Sequence, residues 1–178
     1  GSYGFFYNLF IGSLLLVPIA NQALFFLLVW EVMSLASYFL VVFEREKPEN
    51  VRAGFLYFLM THFGTAFIML ACLLAYQATG SFSFDAWREA FGTLSSGTEL
   101  LILGFALIGF ATKAGLIPLH IWLPEAHPAA PSHVSALMSG VMLKVAVYGF
   151  IRLVFDLLGE PQWSWGVIVL TVGSVTSL

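Results

Sequence analysis

Glu31, Lys113 and Lys144 stand inside long apolar runs with almost no other formal charge near them. A carboxylate and two amines can hold and release protons, and in hydrocarbon each ion is costly, about 2.5–3.5 kcal/mol at a helix centre. All three are therefore expected to face inward, toward one another or toward water. A desolvated ammonium loses its hold on a proton, and a nearby carboxylate restores it. Motion of Glu31 toward or away from Lys113 would switch that amine between keeping its proton and giving it up. The same residues admit a plainer reading: a buried Glu31–Lys113 pair that fixes helix register, with Lys144 bonded to carbonyls or extended toward the bilayer surface.

Four histidines extend this set. His62 sits with Thr61 and Thr65 in another apolar run and is read as facing the polar interior. His120 and His127 lie in a proline-rich segment, His133 opens the run that holds Lys144, and Tyr148 stands one helical turn beyond that lysine. An imidazole titrates near neutrality, so each ring can relay a proton, although capping and loop bonding use it equally well. At helical spacing Glu31, Ser34 and Tyr38 form one polar stripe, and His133, Gly140, Lys144, Tyr148 and Arg152 form another. No metal site is expected from His120, His127 and His133, because prolines separate them and no carboxylate or cysteine completes a tetrahedral set. The single cysteine, Cys72, excludes an internal disulfide and an iron–sulfur site built by this chain, and it reads as a small buried hydrophobe. No cofactor is expected. A haem held between His62 and His133 is the competing case, and it requires the two rings to face each other.

Positioning such groups falls to membrane-spanning helices. Of 178 residues, 60% are hydrophobic, 10% are charged and 18 are phenylalanine, with a mean hydropathy of +0.92, far from the averages of soluble domains. The chain reads as all-α and integral to a membrane. Its net charge of −3 is too small and dispersed for nucleic-acid binding or a polybasic anchor. Windows of about 20 apolar residues place spans at residues 5–20, 23–43, 53–76, 100–117 and 134–158, with a sixth starting near Trp165 after a turn. Leu178 would fall near mid-bilayer, so more chain or a partner is expected beyond it. The opening residues lack the basic stretch and small-residue cleavage site of a signal peptide.

Loop charges orient the bundle. Arg45, Lys47 and Arg52, interleaved with Glu44, Glu46 and Glu49, mark the first long loop as cytoplasmic, against a later loop whose only cation is Arg88. In that later loop Ser83 can cap a short helix with Phe84, Trp87 and Phe91 on one side and Arg88 and Glu89 on the other, a pattern suited to the membrane interface. Trp163 and Trp165 read as an interfacial belt. Gly104 and Gly109 give room for close helix approach. Arg152 either reaches for the surface or lines an exit, and Glu125 fits an entrance carboxylate and a loop residue equally.

The fourth span breaks at KAGLIPLHIWLPEAHPAAPSH, where Pro118, Pro124, Pro128 and Pro131 crowd a segment that is still apolar. Proline frees backbone carbonyls, and non-helical backbone at membrane depth is tolerated only beside a cavity or within protein, as in the discontinuous helices of transporters. Residues 110–152, FATKAGLIPLHIWLPEAHPAAPSHVSALMSGVMLKVAVYGFIR, resemble the signature of antiporter-like membrane subunits of respiratory complex I, membrane-bound hydrogenases and multi-subunit cation/proton antiporters. VWEVMSLASYFLVVF around Glu31 is similar to the glutamate-bearing helix of that family, and FEREKPENVRAGFLYFLMTHFGTAFIML is most similar to the large membrane subunit of hydrogenase-4 and formate hydrogenlyase complexes.

The resemblance covers nearly the whole chain. It implies one five-helix unit of an inverted-repeat transporter over residues 1–158, broken near Pro118, with residues 159–178 opening a second unit. It assigns Glu31 to the glutamate that pairs with the lysine on the broken helix, Lys113 to that lysine and Lys144 to the relay on the next helix. The function it implies is a proton-translocating subunit of a redox-driven complex, without an active site of its own, in a prokaryotic inner membrane. Other membrane subunits, a peripheral redox arm and the lipid bilayer are the expected partners. A sodium/proton antiporter subunit is the alternative.

Overall fold

The computed structural model describes residues 1–44, 46–90, 94–159 and 162–178. Arg45 and Phe91, on which the orientation and the amphipathic face partly rest, lie outside the described residues. Among those residues the chain is helical, with one isolated antiparallel bridge, Gln22 to Ser83. Five helices are long and apolar enough to cross a membrane: α1 (Ser2–Ile19), α2 (Ala23–Val41), α3 (Pro48–Thr79), α5 (Ser96–Ala114) and α7 (Ser132–Leu157). Shorter helices are α4 (Phe84–Ala90), α6 (Leu123–Ala129) and α8 (Trp163–Ser177).

Local chemistry sets the boundaries. The Gln22 side chain accepts from the Phe25 amide to start α2, and the Ser95 hydroxyl accepts from Thr98 to start α5. Pro48 in the first turn and left-handed Gly80 (φ 70°) after the last stretch α3 to 32 residues, beyond the predicted 53–76. The fourth span stops at Ala114, short of the predicted 117, because Gly115 turns left-handed at φ 75° and the Leu116 amide closes back on the Ala111 carbonyl. The cis Ile117–Pro118 bond and a run of turns follow, then α6. The predicted break near Pro118 is therefore present, and it folds back. Trp122, fully buried, donates its indole N–H to the Thr112 carbonyl at 2.8 Å.

Helix α3 packs along α5, with Gly64 and Gly109 facing each other at the crossing. In lipid such contact supplies the association that water would otherwise drive. Gly104, read as a second close-approach residue, instead faces open space: nothing lies within 4 Å of where its Cβ would be. Cys72 is buried, as a small apolar side chain would be. Helix α7 contains two π-helical stretches, Met138–Met142 and Arg152–Leu157.

The short helix α4 turns its apolar side inward. Phe84 and Trp87 are buried against the bundle, and the Arg88 guanidinium meets both oxygens of Asp156 at 2.7 Å and Asp85 at 2.5 Å. Arg152 is held by its neighbours. It donates to the Pro18 carbonyl at 2.9 Å, contacts Asn21 at 3.4 Å and lies over the Phe84 ring. Of the two tryptophans read as a belt, Trp163 is exposed and Trp165 is packed away. Because Arg88 and Asp156 are 35% and 42% exposed, solvent screens their pair. Arg88→Gln is expected to change stability by no more than about 1 kcal/mol, read as the thermal unfolding midpoint in detergent.

Candidate functional site

Lys113 occupies the last turn of α5, where the negative end of the helix dipole favours a cation. Its side chain is 1% exposed. The ammonium donates to the Ser34 hydroxyl at 2.8 Å and the Tyr57 hydroxyl at 3.2 Å, and it lies 5.3 Å from the Tyr57 ring centre and 6.0 Å from that of Trp30. The hydroxyl protons can be followed. Ser34 donates to the Trp30 carbonyl and Ser37 to the Met33 carbonyl, so Ser34 accepts from Lys113 and Ser37 accepts from Tyr57 at 2.6 Å. Every direct partner of the buried amine is thus a neutral oxygen.

The expected Glu31–Lys113 pair is not closed. Among the described residues the carboxylate's ion-pair partner is His62, with Glu31 Oε2 3.1 Å from Nε2, and no bridge to Lys113 forms within 4.0 Å. Helix geometry explains the difference: Ser34, one turn after Glu31 on α2, takes the lysine, while α3 brings His62 to the carboxylate. The second oxygen, Oε1, is buried without a hydrogen-bond partner among the described residues. His62, read as facing the polar interior or a neighbouring helix, is half-buried against Glu31 of the neighbouring α2.

Lys144 is a larger departure. It was expected to face inward, yet it stands near the middle of α7 on an exposed face with Val141, Val147, Tyr148 and Ile151, without a hydrogen bond or ion pair among the described residues. The stripe drawn from the sequence stays together, since His133, Gly140 and Tyr148 are exposed as well, and the stripe lies away from the buried side of α7. His133 points at α1, where its Nε2 bonds the Tyr3 hydroxyl and its ring lies 5.4 Å from Tyr7. Tyr148 also turns to α1, donating to the Pro18 carbonyl at 3.0 Å. His62 and His133 thus serve different partners and do not face each other as a haem pair would.

The His127 Nδ1 lies 2.7 Å from the Ser135 hydroxyl on α7. His120 keeps a buried Nδ1 without a hydrogen-bond partner among the described residues, and Glu125 is exposed on α6.

Sequence reasoning missed Tyr57, Ser37 and Trp122. Tyr57 is the hub: fully buried, it touches Lys113, Ser37 and, at 3.5 Å, the Met142 sulfur inside the π-helical turn. The available signal was weak: a tyrosine one turn before Thr61, only four residues into the predicted span, where border tyrosines also gather.

Five helices long and apolar enough to cross a membrane, one of them ending at a proline-rich break beside a buried amine, define a polytopic membrane protein. The family model described as NADH:quinone oxidoreductase/Mrp antiporter, transmembrane, matches residues 20–178, and the chain belongs to that family. It is 44% identical to hydrogenase-4 component B of Escherichia coli strain K12, over 98% of this chain and 26% of that protein. It is 32% identical to formate hydrogenlyase subunit 3 of the same strain, over 96% of this chain and 26% of the relative. The fold matches a subunit of the membrane-bound sulfane sulfur reductase, an archaeal respiratory membrane complex, with a TM-score of 0.84, 20% identity, and 95% of this chain against 34% of that one. The chain thus spans about a quarter of the length of the relatives it matches.

Proposed function

We propose that this chain carries protons as part of a membrane subunit of a redox-driven complex, hydrogenase-like or NADH:quinone oxidoreductase-like. The observation that carries the reading is Lys113, an amine 1% exposed at the broken end of a spanning helix and held by two neutral hydroxyls. An ion kept for structure alone gains most from a closed pair, because the desolvation cost of both charges is then offset. A buried charge without a closed counter-ion is what membrane chains retain for transport.

In this reading Lys113 takes and passes the proton, Glu31 sets its hold on that proton, and His62, His120, His127, His133 and Tyr148 are the polar groups flanking the path. Lys144 is the way out. An ion at the bilayer centre costs about 2.5–3.5 kcal/mol against lipid, so its exposed face on α7 calls for a polar group to meet it, supplied by a second unit of inverted topology. Redox chemistry belongs to a peripheral arm, other membrane subunits flank the chain, and the membrane is a prokaryotic inner membrane.

The test is proton pumping in vesicles of the intact parent complex, comparing wild type with Lys113→Ala and Lys144→Ala at matched assembly. Loss of pumping in both supports the reading, and unchanged pumping in both removes it. Sodium flux that replaces proton flux would favour the antiporter alternative.

A further inference from the structure

We infer that His62 is a second partner for Glu31: the two share a single proton, and His62 competes with Lys113 for the carboxylate. This rests on the proton-transport reading above. The ring of His62 is fixed by its Nδ1, 2.9 Å from the Phe58 carbonyl one turn back, and by the Phe58 ring at 4.0 Å. A carbonyl only accepts, so Nδ1 carries a hydrogen. The contact of Nε2 with Glu31 Oε2 at 3.1 Å then needs one hydrogen between the two atoms. Two arrangements supply it, imidazolium with carboxylate and neutral imidazole with carboxylic acid. Passing the proton from Nε2 to Oε2 converts one into the other with no proton gained or lost.

The unpaired groups point the same way. Glu31 Oε1 is buried with no donor among the described residues, while the Lys113 ammonium has three N–H groups and two hydroxyl acceptors, Ser34 and Tyr57. One orphan acceptor and one surplus donor therefore sit on adjacent helices, joined through the same turn of α2. The other titratable groups on these faces are Tyr38 on α2, packed against Phe58, and Tyr57 on α3. The state described is the one in which Glu31 is held by His62 and Lys113 rests on hydroxyls. Closing Glu31 on Lys113 requires release from His62, which makes His62 a positioning residue for the lysine's proton.

The experiment uses the intact parent complex with Glu31→Gln, His62→Gln, the double variant and Lys113→Met, all at matched assembly. Infrared difference spectra are expected to contain a carboxylic-acid band that vanishes in Glu31→Gln and shifts in His62→Gln. Pumping in His62→Gln is expected to fall about tenfold, within the range over which contacting residues couple, and the double variant is expected to pump no less than Glu31→Gln alone. An unshifted band, full pumping in His62→Gln, or strictly additive losses would each overturn the dyad. Loss of pumping in Lys113→Met alongside any of these would leave the transport reading standing, whereas full pumping in Lys113→Met would remove that reading itself.

Discussion

Proton pumping is expected to fall about 100-fold in Lys113→Met, the scale on which removing a proton-transferring group acts, while folding is unharmed. Methionine keeps much of the apolar stem and removes the charge. Ser34 and Tyr57 lose the ammonium but keep their own acceptors, the Trp30 carbonyl and the Ser37 hydroxyl, so no buried donor is orphaned. Replacing a buried ion by an apolar side chain of similar size is commonly neutral or stabilising by about 1–4 kcal/mol. Thermal unfolding of the purified complex in detergent should therefore give a midpoint at or above wild type, beside near-silent vesicles. A lower midpoint would make Lys113 a structural anchor, and a pumping Lys113→Met complex would leave the buried amine without a transport role.

Gly109→Ala is expected to destabilise the bundle by about 1–3 kcal/mol, the cost of overpacking a close contact, and Gly104→Ala is expected to be neutral or stabilising by up to about 1 kcal/mol through helix propensity. A Cβ on Gly109 would come within 2.5 Å of Ile68 Cγ1, 2.7 Å of the Gly64 carbonyl oxygen and 2.9 Å of the Ile68 amide nitrogen. Two of those atoms are backbone and cannot turn aside, so α3 and α5 must part. Tyr57 rides on α3 and Lys113 on α5, and the same separation would stretch their 3.2 Å hydrogen bond. At Gly104 nothing lies within 4 Å. The two alanines, compared by thermal midpoint in detergent and by pumping, separate a packing glycine from an idle one. Equal midpoints would mean that the α3–α5 crossing does not limit stability.

Both predictions depend on contacts that a linear pattern conveys unevenly. Membrane residence and the five long helices follow from composition and from apolar runs about the thickness of a bilayer, because every backbone group there must bond within its own helix. The break after Lys113 follows from glycine and proline chemistry at residues 115 and 118, although the left-handed Gly115 ends the helix three residues earlier than a hydropathy window does. Which residues carry ions inside the bilayer is also written in the chain, since charges in apolar runs are few and costly.

Partner choice is a property of the tertiary structure. Glu31, Lys113 and His62 come from three different helices, and their pairing depends on which turns of α2 meet α3 and α5. A hydropathy pattern cannot say that Ser34 takes the lysine and His62 the carboxylate. Tyr57 reads as one more aromatic until folding brings three groups to its hydroxyl, the Ser37 hydroxyl, the Lys113 ammonium and the Met142 sulfur. Which side of α7 packs inward, leaving Lys144 exposed, is likewise decided by its neighbours and not by its period. Residue types and spacing determined the solvent, the helices and the set of ionisable groups, because these follow from local hydrogen bonding and the cost of charge in hydrocarbon. Only packing decided which of those groups touch, because contact across helices is set by crossing points such as Gly64 on Gly109 that no single segment contains.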